Sequence, residues 1–168
     1  MNGYSYCVPP TMEGETAMTP LFLRILSPID FHENSLAALE YTAEIARQYE
    51  ATVYLLHVVP PHEKLHLYSD VYRSKEGERF DPAQVEQVAT EKLQDIARER
   101  LGDGIRYEIL TRVGDAATVV LATAEAVEAE LIVMATHGRT GITHFFLGSV
   151  AERVVREARC PVLTIRGT

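Results

Sequence analysis

The sequence predicts an α/β protein built on an open, parallel sheet of five strands, and three observations support this prediction. Short apolar runs alternate strictly with longer segments in which apolar residues recur at helical spacing. The second apolar run, Val53–Val59, is almost uninterrupted, as is typical of a strand covered on both faces. Glycine and proline separate many of these segments. Because parallel strands need right-handed crossovers, we expect a doubly wound, three-layer α/β/α sheet with strand order 3-2-1-4-5.

The first third of the chain contains two predicted strands with a helix between them. Phe22–Leu26 is predicted as the first strand, and the segment 27–30 is expected to end it. Four apolar residues at helical spacing then predict a helix that begins near Asn34, with Asn34 or Ser35 as its N-cap. Val53–Val59 follows as the second strand.

Residues 60–81 form a polar connection that leaves the carboxyl end of the second strand. A connection of this length is uncommon inside a compact domain, and open α/β sheets bind ligands at this end of their strands. A flexible lid and a variable surface loop both remain open as interpretations.

The second half of the chain continues the alternation. Pro82 suits the first turn of a second helix, and Arg106–Val113 alternates as a third strand. Asp115 is a good N-cap for the third helix. Leu131–Ala135 is the fourth strand, a glycine-bearing loop and a fourth helix follow it, and Val162–Ile165 is the last strand.

Size and composition limit the classes of partner. The 168 residues are expected to form one domain over 21–168, preceded by a flexible N-terminal arm over 1–20. The net charge of −8 argues against nucleic acid and anionic membrane as partners. Cys7 and Cys160 show neither a disulfide framework nor a metal-ligand spacing, and residues 1–20 have neither a basic start nor an apolar core, so they are not expected to be a signal peptide. We therefore expect a cytoplasmic protein with free thiols.

Three segments are expected to meet where the strand order reverses, between the first and fourth strands. Pro28-Ile29-Asp30 follows the first strand, Val58-Val59 ends the second, and the glycine loop with Gly138 and Gly141 follows the fourth. Gly148-Ser149-Val150 begins the fourth helix, whose unpaired first N–H groups favour an anion. An adenine would rest on the apolar strand ends, Asp30 would bond a ribose or a base edge, and phosphates would reach the helix start.

Simpler interpretations remain open for the same residues. Ser149-x-x-Glu152 is a capping box, which is sufficient by itself to explain that serine. Asp30 is equally well explained as a cap of the following turn or helix. His57 lies in a buried strand, where a hydrogen-bonded core histidine is the expected state.

Catalytic motifs are missing from the sequence. It contains no G-x-x-x-x-G-K-[ST], no G-x-G-x-x-G after the first strand and no G-x-S-x-G. No nucleophile with a paired base is evident, and His137 and His144 have no carboxylate at metal-ligand spacing. We therefore assign no catalytic residue and expect any turnover at this site to be slow.

The spacing Gly138, nine residues, Gly148-Ser149 resembles the C-terminal signature of the universal stress protein family, in its ATP-binding branch. That signature is G-x-x-G, nine residues, then G-[ST], and Ala135 stands at its first glycine. The surrounding segments MATHGRTG, LGSVAERVV and CPVLTIR agree with it, as do SPIDFHENSLAALEYT and VYLLHVV. The resemblance covers roughly residues 21–167.

The resemblance implies a flavodoxin/Rossmann-like fold that binds ATP, with Mg²⁺ or Mn²⁺ on the phosphates. It places Pro28 and Asp30 at the adenosine end and Val58 against the base. The residues that it places around the ribose and the phosphates are Ala135, Gly138, Arg139, Gly141, Gly148, Ser149 and Val150. It also implies a homodimer joined along the last strand, Pro161–Arg166, which would cover an apolar sheet edge.

Three functions are consistent with these residues. The first is an ATP-binding switch in a stress response, whose state is read by an unknown protein partner. The second is a slow ATPase or phosphoryl-transfer enzyme that uses Asp30 and a bound metal ion. The third is an interaction protein of the same fold that has lost its nucleotide, which the retained glycines at 138, 141 and 148 disfavour.

Overall fold

The computed structural model describes residues 22–61, 63–65, 82–136 and 148–166, with the backbone alone at 82 and 83. Its elements are β1 (Arg24–Pro28), α1 (Glu33–Tyr49), β2 (Thr52–Val59), α2 (Pro82–Arg100), β3 (Arg106–Val113), α3 (Ala116–Ala126), β4 (Leu131–Ala135), α4 (Ser149–Glu157) and β5 (Val162–Ile165). The predictions for the arm 1–20, for most of the connection 60–81 and for Cys7, His137, Gly138, Arg139, Gly141 and His144 lie outside the described residues.

The five strands form one sheet in the order β3-β2-β1-β4-β5. All four neighbouring pairs are parallel. The predicted fold class and strand order are therefore confirmed. The chain first winds from β1 towards β3, and β4 then returns to the other side of β1. This reversal makes the carboxyl ends of β1 and β4 the switch point of the sheet.

Both faces of the sheet are covered by helices. Ile25, Val53 and Leu55 belong to a core cluster that includes residues of α1 and α2. Leu26 and Leu56 belong to a second cluster with residues of α3 and α4. Side chains of a strand alternate between faces, so neighbours such as Leu55 and Leu56 enter opposite layers. This two-sided burial explains the continuous apolar runs in the sequence.

The first strand ends two residues later than predicted. Ser27 is fully buried, and its hydroxyl lies 3.3 Å from that of Thr42 on α1, so its polarity is satisfied inside the core. Pro28 is paired with β2 alone, opposite Leu56. Its missing N–H is thus tolerated at the strand end, and the N–H of Ile29 continues the ladder to the Leu56 carbonyl at 2.8 Å.

The predicted N-cap of α1, at Asn34 or Ser35, is wrong. The helix begins at Glu33, and His32 is the N-cap without a side-chain capping bond. The carboxylate of Asp30 accepts the N–H of His32 at 3.0 Å, which turns the chain into the helix earlier. Ser35 lies inside the first turn, where its hydroxyl donates to the His32 carbonyl at 2.9 Å.

Candidate functional site

A crevice of about 430 Å³ opens at the switch point, between the ends of β1, β2 and β4 and the starts of α1, α3 and α4. Its volume lies within the usual range of small-molecule sites, roughly 300–1,000 Å³. The predicted site residues that line it are Pro28, Ile29, Asp30, Val58, Ala135, Gly148, Ser149 and Val150. The structure therefore brings together every predicted site residue that it describes.

The start of α4 forms one wall of the crevice. Gly148 is the N-cap, and its N–H already donates to the Thr136 carbonyl at 2.8 Å. The carbonyl of Gly148 accepts the N–H of Glu152 at 2.8 Å, which closes the first turn. The N–H groups of Ser149, Val150 and Ala151 are left without an intrahelical acceptor, and all three residues line the crevice. This wall can accept an anion.

Ser149 does not cap its helix, so the predicted capping box is wrong. It is the first residue inside α4 rather than the residue before it, and Gly148 holds the N-cap position. A serine hydroxyl reaches the first-turn N–H groups from the N-cap position, which Gly148 occupies here. Ser149 is exposed, and its hydroxyl is available to a ligand in the crevice.

The start of α3 forms a second wall with different electrostatics. As predicted, Asp115 is its N-cap and accepts hydrogen bonds from the Thr118 N–H at 3.1 Å and hydroxyl at 2.7 Å. Arg153 of α4 also donates to this carboxylate at 2.9 Å. The bonds from Thr118, helped by Arg153, lower the pKa of Asp115. Because a carboxylate already occupies this helix start, the start of α4 is the better anion site.

The floor of the crevice consists of strand ends. His57 is only 4% exposed, and its Nδ1 lies 2.6 Å from the Ile29 carbonyl, to which it donates. Burial lowers the pKa of His57 to about 4, so the ring is neutral at physiological pH. Its ring packs against Phe31 at 4.1 Å between centroids. The expected hydrogen-bonded core histidine is thus confirmed, and it also borders the apolar surface made by Pro28 and Val58.

Ala135 ends β4 opposite Ile165 of β5. The non-glycine residues with positive φ in the described part of the chain are Phe31, Glu50 and Glu128. Ala135 therefore has backbone angles that any residue adopts, and its position at the first glycine of the signature does not strain the strand.

Several lining residues were missed by the sequence analysis. They are His32, Ser35, Lys64, Gly114, Asp115, Met134 and Thr136. Most of them lie at junctions between a strand end and the next helix, which is the signal that was available for them. His32, for example, lies two residues beyond the predicted Asp30.

Two classes of feature are absent from the residues that the structure describes. Within them no group of three or more His, Cys, Asp or Glu side chains is arranged to hold a metal ion. None of the helices described is both long and apolar enough to cross a membrane.

Comparison with known proteins adds to this geometry. A model of the universal stress protein family matches residues 22–166. Universal stress protein MJ0531 of Methanocaldococcus jannaschii is 35% identical over 154 residues, which is 87% of this chain and 83% of that protein.

Two solved structures share the fold. Hypothetical protein MJ0577 aligns with a TM-score of 0.72 at 25% identity, over 88% of this chain and 98% of that one. The universal stress protein of Archaeoglobus fulgidus in complex with dAMP aligns with a TM-score of 0.59 at 21% identity, over 86% of this chain and 98% of that one. At 21% identity the second likeness establishes the architecture alone.

Proposed function

The chain belongs to the universal stress protein family, and from that premise we propose that it is a regulatory protein that binds ATP in the crevice. The observation that carries the proposal is the start of α4, where Ser149, Val150 and Ala151 line the crevice and their N–H groups have no intrahelical acceptor. Ser149 is not the N-cap, so its hydroxyl adds a further donor there. These groups match the oxygen atoms of a phosphate chain in both charge and hydrogen-bonding capacity.

The nucleotide would lie across the switch point. Its base would rest on Pro28, Ile29 and Val58, where the crevice floor is apolar. Its sugar would lie near Asp30, and its phosphates would reach Ser149 and Val150. In this arrangement Gly148 contributes space for the phosphates rather than a donor, since Thr136 already accepts its N–H. Gly138, Arg139 and Gly141, which follow β4 in the sequence, would complete the site.

The known relatives support a nucleotide as the ligand. A protein of the same fold has been solved with dAMP, an adenine nucleotide. Mg²⁺ or Mn²⁺ would accompany ATP, held mainly by phosphate oxygens, because the described residues form no dedicated metal cluster. The ion would neutralise the phosphates beside the ionised Asp115.

We also propose that the protein acts as a cytoplasmic homodimer paired along Pro161–Arg166. The sheet has β3 and β5 as its edges. Arg106, Glu108 and Arg112 are exposed along β3, and charged side chains discourage strand pairing. The four residues of β5, Val162–Ile165, include no charged side chain, and Leu163 is 37% exposed there. ATP occupancy would then be read by a protein partner on this dimer.

Calorimetric titration with Mg-ATP tests the proposed site through Gly148→Val. The backbone of Gly148, at φ −59° and ψ 149°, accepts a valine, so the variant should fold normally. Its side chain would block the approach of the phosphates, and we expect at least about a tenfold loss of affinity, or 1.4 kcal/mol.

Gly104→Val is the matched control, because an added Cβ there meets nothing within 4 Å. It should bind Mg-ATP like the wild-type protein. If the wild-type protein and Gly148→Val bind Mg-ATP with equal affinity, the phosphates do not bind at the start of α4.

A further inference from the structure

His32 is the most unusual polar residue of the crevice. Its Nε2 atom is buried and has no hydrogen-bond partner among the residues that the structure describes. Buried polar side-chain atoms nearly always have a partner, because an unpaired one carries its full desolvation penalty. Since His32 lines the crevice, a ligand there is the natural source of the missing partner.

The backbone of His32 is held firmly by its neighbours. Its N–H donates to Asp30 Oδ1 at 3.0 Å. Its carbonyl accepts the N–H groups of Ser35 at 3.0 Å and Leu36 at 3.1 Å, and the Ser35 hydroxyl at 2.9 Å. The fold therefore fixes the backbone that carries this imidazole before any ligand binds, which favours a role in binding.

The side chain has no structural task at the start of α1. His32 is the N-cap of that helix, yet it makes no side-chain capping bond. The residue thus keeps a buried polar atom that neither the helix nor the described core uses.

The location of His32 points to the sugar rather than the phosphates. Helix α1 packs with α2 on one face of the sheet, whereas α4 packs on the opposite face. The phosphate wall at Ser149 and the imidazole of His32 therefore approach the crevice from opposite sides of the sheet. Next to His32, Asp30 has one carboxylate oxygen bonded to the His32 N–H and retains the capacity to accept another hydrogen bond.

We propose that His32 Nε2 hydrogen-bonds one ribose hydroxyl of the nucleotide, while the Asp30 carboxylate accepts the neighbouring one. A hydroxyl both donates and accepts, so it satisfies Nε2 in either tautomer of the ring. Acidic residues commonly hold the ribose in doubly wound sheets, and the histidine would complete recognition of the vicinal diol here. This inference rests on the proposed nucleotide function and adds selectivity for ribonucleotides to it.

The test is a calorimetric comparison of three ligands on three proteins. Mg-ATP, Mg-2′-deoxy-ATP and Mg-3′-deoxy-ATP are titrated into the wild type, His32→Leu and His32→Gln. We expect His32→Leu to weaken ATP binding by about tenfold, because a hydrogen bond is lost. It should weaken the binding of one deoxy analogue less than about twofold, because that ligand already lacks the partner hydroxyl. His32→Gln, whose amide can donate and accept, should recover part of the ATP affinity.

Melting temperatures distinguish a binding role from a structural one. His32→Leu removes an unpaired buried atom, so its melting temperature without nucleotide should equal or exceed that of the wild type. An equal loss of affinity for all three ligands would overturn the ribose assignment, as would unchanged ATP affinity. If the wild type does not bind Mg-ATP at all, the proposed function fails as well. If the wild type and both His32 variants bind Mg-ATP equally tightly, this inference alone is overturned.

Discussion

Ser149 and Asp115 show how one position along a helix decides the role of a polar residue. Asp115 precedes α3 and caps it through Thr118, which also lowers the pKa of its carboxyl group. Ser149 is the first residue of α4 and follows the N-cap, Gly148. Both residues line the crevice, but only the serine has a side chain left for an anion.

The variant Ser149→Ala should therefore lose affinity without losing stability. Alanine is a good helix former, and no capping bond disappears, so the free energy of unfolding should change by less than about 0.5 kcal/mol. Mg-ATP affinity should fall about tenfold, because a hydrogen bond to a charged phosphate is lost. Urea unfolding and calorimetric titration measure the two quantities on the same sample.

Asp115→Ala is the control, because Asp115 does cap its helix through a side-chain hydrogen bond. Loss of its bonds to Thr118 should lower the free energy of unfolding by about 1 kcal/mol. If Ser149→Ala loses a similar amount and binds Mg-ATP unchanged, then Ser149 acts as a cap and the proposed phosphate contact is wrong.

Single-residue geometry was the part of this protein that the sequence revealed least. Phe31 adopts a φ of 66°, which is rare for phenylalanine, and no local sequence pattern predicts it. Its ring lies 4.1 Å from that of His57, and Lys92 Nζ lies 5.7 Å from its centre. Those partners come from β2 and α2, so the conformation depends on tertiary contacts. The start of α1 was misplaced for a different, local reason, since the Asp30 carboxylate accepts the N–H of His32 and turns the chain into the helix before Asn34.

At the scale of elements, the turn between β3 and α3 positions one wall of the crevice. Gly114 has a φ of 153°, and its N–H donates to the Val59 carbonyl at 3.0 Å. A Cβ added to Gly114 would lie 2.8 Å from Cγ2 of Val119. The turn therefore requires glycine for both its backbone angle and its close approach.

Gly114→Ala should destabilise the protein by about 1–3 kcal/mol, because the backbone angle is strained and the methyl group meets Val119. Gly104→Ala is the matched control, since its Cβ would meet nothing within 4 Å and its φ is not in the left-handed region. That control should change stability by less than about 0.5 kcal/mol, or raise it slightly. Urea unfolding compares the two, and equal effects would show that the turn tolerates a side chain.

The sequence predicted the bounds of a strand correctly where its local pattern agrees with its tertiary contacts. The bounds of β3, β4 and β5 were predicted to the residue, because turn residues flank clear apolar or alternating runs. β1 was misplaced because Ser27-Pro28 has the composition of a turn. In the structure Ser27 finds a buried partner in Thr42, which the local sequence does not show.

At the scale of the whole molecule, the two sheet edges differ in ways that bear on assembly. Leu163→Arg on β5 should convert the proposed dimer into a monomer, because a charge at the shared edge opposes strand pairing. Tyr41→Arg, on the exposed surface of α1, is the control and should remain dimeric. Light scattering after size-exclusion chromatography measures both masses. A dimer that survives Leu163→Arg would place the interface elsewhere.

The topology and the crevice were predictable because parallel α/β connections leave few choices. Once β1 and β4 are neighbours, Pro28, Asp30, Val58 and Ser149 must approach one another, and the structure confirms their proximity. The contribution of His32 was not predictable, since its significance rests on a hydrogen bond to Nε2 that none of the described residues supplies.

The presence of an adenine nucleotide in the crevice is tested most directly on protein that is purified without added nucleotide. The protein is denatured, and any released small molecule is identified and counted by mass spectrometry. We predict ATP or ADP at close to one molecule per chain, with their ratio reporting on hydrolysis. A protein that releases no nucleotide, and whose melting temperature does not rise with Mg-ATP, would contradict the claim.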